Sequence, residues 1–428
     1  MSMSQSGGGG GYGGSSGYSH TRTTFRQDQG FFSRVGNSLG GIVFGTLLIA
    51  GACFLLFWNE GNTVHMAQAL DEGLRKVVAL ASSERESTHT DGSLVYLTGL
   101  LHAASNVADA AFGISIQAAR LERTVEMYQW VETTTTHRFN EPGGTREEIS
   151  YYYEKHWRSD LVSHRTFDNP FGHENPSDFA FPSRSFTADK VAVGRYQLSS
   201  SLIDQIVDWH TVDLTHHTQI PSTNGKSVFV QDGSLYIVQH RGDLQAGDLR
   251  IRFRYAGNTD KHASPSSVSV IARQSGKRLE PYLSHGHTLE FLVSGVRSAE
   301  DILSAEQAKN VVQSWAFRFV GWLLMFFGFA AATSIVGVLV DWIPIVRTIV
   351  GFGVLLINLT LATSLSFVVI ALGWIRYRPL VGGLLLLLAI GIPFVLGKMR
   401  GPKTVQPQQQ QPYQQAPQAQ QFQPPKYE

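Results

Sequence analysis

Apolar residues collect in four long charge-free runs, and one long polar stretch separates the first run from the other three. Leu39–Trp58 offers twenty uncharged residues, the number a helix needs to cross a hydrocarbon core of about 30 Å. Phe319–Val340 is bounded by Arg318 and Asp341, with Trp322 and Trp342 near its ends as interfacial anchors. Thr348–Trp374 follows, and then Leu380–Leu396, the shortest, with Pro393 near its end. None of the runs carries a charged face, so buried helices of a soluble protein do not explain them. The pattern predicts an α-helical multi-pass membrane protein with four spans, at residues 39–58, 319–340, 348–374 and 380–396.

The pattern changes between the first two spans. Ala67, Leu70, Leu74, Val77 and Ala81 recur at helical spacing opposite Asp71, Glu72, Arg75 and Lys76, which predicts an amphipathic stalk helix leaving the membrane. Strands are then predicted at Ser93–Leu101, Gly113–Ala118, Thr124–Thr135, Ile149–Trp157 and Val191–Leu198, followed by a helix at Ser200–Trp209. Val228–Val230 and Leu235–Gln239 flank Asp232-Gly233, a hairpin signal. Leu249–Tyr255, Val268–Arg273 and Leu289–Val293 complete the strands. Ser298, with Asp301 three residues on, resembles the N-cap of a helix over Ala299–Trp315. Residues 59–314 therefore read as a large strand-rich α+β domain inserted between spans 1 and 2, long enough to bury a core without disulfides.

Composition supports a membrane protein: 43% of the residues are hydrophobic and only 16% charged, against about 25% in soluble domains. The net charge of +1 hides a split, because Asn59–Ser314 carries 24 Lys and Arg against 31 Asp and Glu. An acidic insert flanked by basic ends excludes a nucleic-acid binder that works through overall basicity. Cys53, the sole cysteine, lies in an apolar run, so the insert has neither disulfides nor a cysteine-based zinc site. Arg22, Arg26 and Arg34 precede the first span and acidic residues follow it, which places the N-terminus in the cytosol and the insert in a lumen. Four crossings return the C-terminus to the cytosol, where Lys398, Arg400 and Lys403 agree and Arg376 and Arg378 do not. Residues 1–38, a Gly/Ser-rich head with a basic juxtamembrane part, and residues 397–428, basic and then Gln/Pro-rich, read as disordered cytosolic tails.

Several short stretches carry a resemblance. They are Asn59-Glu60-Gly61, Val125-Glu126-Met127-Tyr128-Gln129-Trp130-Val131-Glu132, Gly247-Asp248-Leu249-Arg250 and Val270-Ile271-Ala272-Arg273-Gln274. Gly321-Trp322, Val340-Asp341-Trp342, Ala362-Thr363-Ser364-Leu365 and Gly373-Trp374 with Tyr377-Arg378-Pro379-Leu380 continue the series. In this order, over roughly residues 31–400, they resemble the LUMA family (transmembrane protein 43). The resemblance implies a multi-pass protein of the endoplasmic reticulum and inner nuclear membrane. It also implies self-association into a homo-oligomer and binding of emerin- and lamin-like envelope proteins. Both low-complexity tails fall outside it.

Candidate chemistry is sparse. His216-His217 and His285-Gly286-His287 are the histidine groupings open to a metal reading, but neither has a third and fourth ligand in sequence, and no metal or cofactor is expected. Glu147 and Glu148, Asp204 and Asp208, and Ser199–Ser201 supply carboxylates and hydroxyls without a hydrolase motif, so no catalytic residue is assigned. Arg250, Arg252 and Arg254 alternate and share one strand face, either as an anion or lipid patch or paired with acids such as Asp243 or Asp248. In the third span Asn358, Thr360, Thr363, Ser364 and Ser366 form the polar cluster at membrane depth. Asn358, Thr363 and Ser364 are the candidate helix-packing residues, Ser364 the more sensitive because leucine there adds bulk. The spans lack an ionisable residue for coupled transport. The expected function is a non-enzymatic membrane scaffold. A tethered lumenal enzyme or ligand-binding domain is the alternative, and a channel or transporter the third choice.

Overall fold

A two-residue alternation of apolar and polar positions produces the central strands. Along Leu121, Arg123, Val125, Met127 and Gln129 every second side chain is buried, while Glu122, Thr124, Glu126 and Tyr128 turn outward. The computed structural model describes residues 18–27, 31–84, 87–142, 144–214, 225–260, 265–339, 344–380 and 383. The main elements, in chain order, are β1 (Tyr18–Gln27), α1 (Phe31–Lys76), β2 (Leu94–His102), β3 (Ala118–Glu141), β4 (Gly144–Arg158) and the short α2 (Ser200–Asp204). After them come β5 (Ser227–Gln231), β6 (Ser234–Val238), β7 (Leu249–Asn258), β8 (Ser267–Ser275) and β9 (Arg278–Glu280). β10 (Tyr282–Ser284), β11 (His287–Leu289), β12 (Phe291–Ser294), α3 (Ala299–Ala332), α4 (Ser334–Leu339) and α5 (Pro344–Tyr377) complete the set.

Three layers build the unit that runs up to Gly373. The first sheet has the path β1-β4-β3-β7-β6-β5, with Trp209–Thr211 and Arg184–Thr187 pairing onto β7 and β3. The second sheet centres on β8, which pairs with β2, β9 and β12. Leu121, Val125, Leu249 and Ile251 of the first sheet pack against Val95, Leu97, Val268 and Val270 of the second. The other face of the second sheet, through Leu94 and Ile271, receives Ala69 and Leu70 of α1 and Ile302 and Leu303 of α3, and Leu289 of the separate β10–β11 hairpin joins the same cluster. β8 is thus covered on both faces, which is why Val268–Ala272 is buried without a break and shows no alternation.

Most of the sequence-predicted strands are present, but Val191–Leu198 is a tight hairpin of two-residue strands, Ala192–Val193 and Tyr196–Gln197, and Leu289–Val293 divides between β11 and β12. Asp232 (φ 49°) and Gly233 (φ 67°) form the turn between β5 and β6, both in the left-handed region that such a hairpin requires. Ser298 Oγ accepts from Asp301 N at 3.0 Å and caps α3. The helix expected over Ser200–Trp209 stops at Asp204, and Trp209–Thr211 instead joins β7 as a strand. The span and the stalk expected as two elements are one helix, because nothing between Trp58 and Ala67 stops it; on the stalk Leu70 is buried and Leu74 exposed. Tyr18–Gln27, placed by composition in a disordered head, is a strand in register with β4 over ten residues.

The four-span expectation is corrected. Among the described residues three helices are long and apolar enough to cross a membrane, at Gly40–Lys76, Ala299–Gly337 and Ile349–Tyr377. The fourth expected span, residues 380–396, lies outside the described residues except for Leu380 and Gly383. Its sequence is at the short limit for a crossing and holds Gly382, Gly383, Gly391 and Pro393, which weaken a helix. Placing the C-terminal tail on the N-terminal side counted four crossings and loses that support. His216-His217 and most of both tails also lie outside the described residues.

His285-Gly286 is the turn joining β10 to β11, with φ 49° and 80°, and the hairpin lies along the stalk of α1. Ser284 Oγ donates to Glu72 at 2.6 Å and His285 Nε2 lies 3.3 Å from the same carboxylate. His287 faces His65 and the backbone of Asn62, and burial, reinforced by His65, holds its pKa below the ordinary histidine value. A histidine with a depressed native pKa adds stability above its unfolded value of about 6.5, and that stability is lost as pH falls through the native value. The protection of residues 282–289 from hydrogen exchange, taken relative to the intrinsic exchange rate at each pH, should therefore be high at pH 7.5 and fall towards pH 5. His287→Leu should flatten that dependence; equal pH dependence in both proteins would show that another group controls the hairpin.

Candidate functional site

The side chains that join the insert to the membrane helices come from two short sequences, Asn59-Glu60 at the end of the first apolar run and Ser314–Arg318 at the start of the second. α1 and α3 run antiparallel, so residues whose numbers sum to about 373 face one another, as Asn59 does Ser314. The two backbones lie against each other at Gly45 and Gly328, where a Cβ on Gly45 would overlap the carbonyl oxygen of Gly328. Small residues let two backbones touch in lipid, where no hydrophobic force drives helices together.

Polar groups then fasten the contact where the helices leave the apolar zone. Glu60, 2% exposed, accepts from Arg318 Nε at 2.7 Å and from Nη2 at 2.8 Å, a two-pronged carboxylate–guanidinium pair. The Arg318 guanidinium lies 4.9 Å from the Trp315 ring centre. Asn59 Nδ2 donates to the carbonyl and the hydroxyl of Ser314, each at 3.3 Å, and Asn310 Nδ2 to Thr63 O at 3.0 Å. Trp58 meets Phe317 edge to face at 6.0 Å, so aromatic rings sit at the same level as the ion pair. Deeper down, Ala52 and Leu56 of α1, Met325 of α3 and Ala362 and Val369 of α5 form one apolar cluster.

The candidate packing residues of the third span separate. Asn358 is buried and its Nδ2 donates to Thr333 Oγ1 at 2.8 Å, tying α5 to the end of α3. Thr363 Oγ1 accepts from Trp322 Nε1 at 3.0 Å. Ser364 faces outward instead, one residue round the helix, and Ser366 takes the buried place with its hydroxyl 3.2 Å from Met325 Sδ. Helical geometry decides this: Asn358, Ala362, Ser366, Val369 and Gly373 share one face, and Ser364 lies off it.

The three arginines of β7 do share a face, opposite Leu249, Ile251 and Phe253. Their partners are on β3: Arg250 and Arg252 reach Glu126 at 2.8 and 2.6 Å, and Arg254 reaches Glu122 at 2.7 Å. Asp248, expected as a possible partner, is buried and accepts from the backbone N–H groups of Gln239 and Gln245. The hydrolase candidates are also taken up. Ser199 caps α2 and, with Ser201, donates to Glu290, while Asp208 accepts from Gly257 N and Ser266 Oγ. Glu147 pairs with Arg138 and Glu148 with Arg146. Among the described residues no group of three His, Cys, Asp or Glu side chains stands together as metal ligands do.

Sequence reasoning missed two buried arrangements. Arg123 and Asp109, 5% and 2% exposed, pair at 2.6 Å inside the insert. Asn175 mimics a strand: its side chain accepts from Trp130 N and donates to Trp130 O and Val162 O. Neither residue stands out by spacing, because their partners are fixed only by tertiary structure.

The stretches Val125–Glu132 and Gly247–Arg250 lie side by side, with Tyr128 N donating to Asp248 O and Gly247 N to Tyr128 O. A family model described as Transmembrane protein 43 matches residues 127–379. The chain belongs to the transmembrane protein 43 family. Transmembrane protein 43 of Mus musculus is 35% identical over 397 residues, covering 90% of this chain and 96% of the relative. The Homo sapiens protein is 34% identical over the same shares, and the Drosophila melanogaster homolog 32% identical over 81% of this chain and 91% of its own length. No solved structure matches significantly. The transmembrane protein 43 family is named as a membrane protein and not as an enzyme, and the three apolar helices make this chain a membrane protein.

For this member of the transmembrane protein 43 family, Glu60→Ala takes the buried carboxylate away from the partly buried Arg318 guanidinium, a change that costs up to about 3–5 kcal/mol. Thermal unfolding in detergent should show a large loss for Glu60→Ala and recovery of most of it in the Glu60→Ala/Arg318→Met double variant. A wild-type midpoint for Glu60→Ala would mean the pair contributes nothing to the seam. In the same assay Ser366→Leu, forced against Met325, should cost about 1–3 kcal/mol, and Asn358→Leu about 0.6–2 kcal/mol. Ser364→Leu should leave the stability of the single chain unchanged, so loss of crosslinked oligomers in that variant alone would place Ser364 in a contact between chains.

Proposed function

We propose that the protein is a non-enzymatic scaffold of the endoplasmic reticulum and inner nuclear membrane that self-associates and binds envelope proteins of the emerin and lamin kind. The observation that carries the reading is the weld between domain and membrane. α1 and α3 pass from the apolar zone into the third layer of the insert without a break, and Glu60, Arg318, Asn59 and Ser314 lock them at the boundary. A domain fastened in this way presents a surface at a fixed attitude to the bilayer, which is what an organising protein needs. The polar side chains that a hydrolase would place around a substrate are instead engaged in caps and strand-face ion pairs.

The charge flanking α1 supports a cytosolic N-terminal end and a lumenal insert. The family membership supports the membrane system and the partners, through the resemblance that runs along the chain. In sealed microsomes, protease added outside should leave the insert, residues 59–314, intact with its helices, and digest it only after the membrane is opened. Selectively permeabilised cells should show the tagged protein at the nuclear rim and in the reticulum, and emerin should co-isolate with it. Digestion of the insert in sealed vesicles would reverse the orientation, and plasma-membrane signal alone would sink the assigned location.

A further inference from the structure

β1 stands before α1 in the chain and β4 after it, yet they pair antiparallel from Tyr18 opposite Tyr153 to Gln27 opposite Gly144. Side chains make the docking selective. His20 Nε2 lies 2.7 Å from Asp168 Oδ2, and Arg22 Nη1 donates to Asp168 Oδ1 at 3.3 Å. The His20 ring stacks on Tyr151 at 4.8 Å and reaches Tyr153 at 5.8 Å, and the hydroxyls of Thr21 and Ser150 meet at 3.0 Å. The receiving surface is held by the insert itself. Tyr153, 1% exposed, donates its hydroxyl to Glu132 and accepts from Asn169 N, and Glu132 also accepts from Asp168 N at 2.6 Å.

A helix that crosses the bilayer leaves its two ends in different compartments. Strands at those ends cannot then pair, because an open sheet edge does not run through hydrocarbon and the distal part of β3 and β4 carries Arg138, Arg146, Glu147 and Glu148. The β1–β4 ladder and the crossing of α1 are therefore alternative states of one chain, and crossing exposes ten residues of β4 edge. Bare edges of that length are rarely left uncovered in natural sheets.

We propose that in the membrane-inserted protein the outer edge of β4 is a docking site, on the side of the insert, for an extended, basic, hydroxyl-rich segment of another protein. β1 is the likeness of that segment within the chain. Recognition is by strand addition: main-chain hydrogen bonds supply affinity, and a cation against Asp168 and a flat ring on Tyr151 supply selectivity. The proposal rests on the crossing of α1 assigned above.

The test uses full-length protein in its membranes, on a Cys53→Ala background. A Thr21→Cys/Ser150→Cys pair reports whether β1 fills the edge, and a fluorescent peptide with the sequence of residues 18–27 is the probe. The expected result is no bridge within a chain in intact membranes and saturable binding of the peptide once the lumen is opened. Affinity should fall at least tenfold for Asp168→Ala, and equally for a peptide carrying Arg22→Glu against unaltered protein. An efficient bridge within one chain overturns the proposal and the crossing of α1 together. Absence of both the bridge and binding, or binding indifferent to both substitutions, overturns the docking site and leaves the crossing standing.

Discussion

The antiparallel contact of α1 and α3 is the constraint on which the remaining structure depends. Gly45 and Gly328 bring the backbones together inside the apolar zone, and the Glu60–Arg318 pair fixes rotation and register at its edge. With both set, Ala69, Leu70, Ile302 and Leu303 fall on one side and cover the second sheet. The second sheet in turn has its other face free for the first, so the two-sheet core is assembled on a platform whose position the membrane helices define.

An ion pair at this level costs less than one at the bilayer centre, because water and aromatic rings are close, and it specifies more than apolar packing does. Leucine against leucine tolerates sliding by a turn, whereas a carboxylate gripped by both prongs of a guanidinium does not. The same logic recurs inside the insert, where Arg123 and Asp109 fix β3 against the short hairpin of Val107–Asp109 and Ile114–Ile116. The strand-face arginines of β7 serve a lesser purpose, since their partners on β3 lie in partly exposed positions where ion pairs stabilise little.

Local pattern was readable where a single element decides the outcome. The alternation in β3 and β7, the Asp232-Gly233 turn and the Ser298 cap each follow from residues a few positions apart. What could not be read depends on neighbours distant in sequence: the Asn175 side chain against Trp130, Glu126 opposite Arg250, and Glu60 against Arg318, 258 residues away. The exchange of Ser364 for Ser366 shows the limit inside one helix. Composition marks a polar cluster, but only the phase set by Asn358 and Gly373 tells which hydroxyl turns inward. β1 was hidden for another reason, since low apolar content argues against a folded segment only when the segment must supply its own core.

α1 runs from bilayer to sheet as one uninterrupted helix, and so does α3. Spans adjust to bilayer thickness by tilting, and a stiff rod passes that tilt on. The seventeen residues from Glu60 to Lys76 are a lever of about 24 Å, so a ten-degree change of tilt swings its far end by about 4 Å. The insert therefore behaves less like a bead on a string than like the pointer of a gauge, its bearing set by the thickness of the lipid around its base.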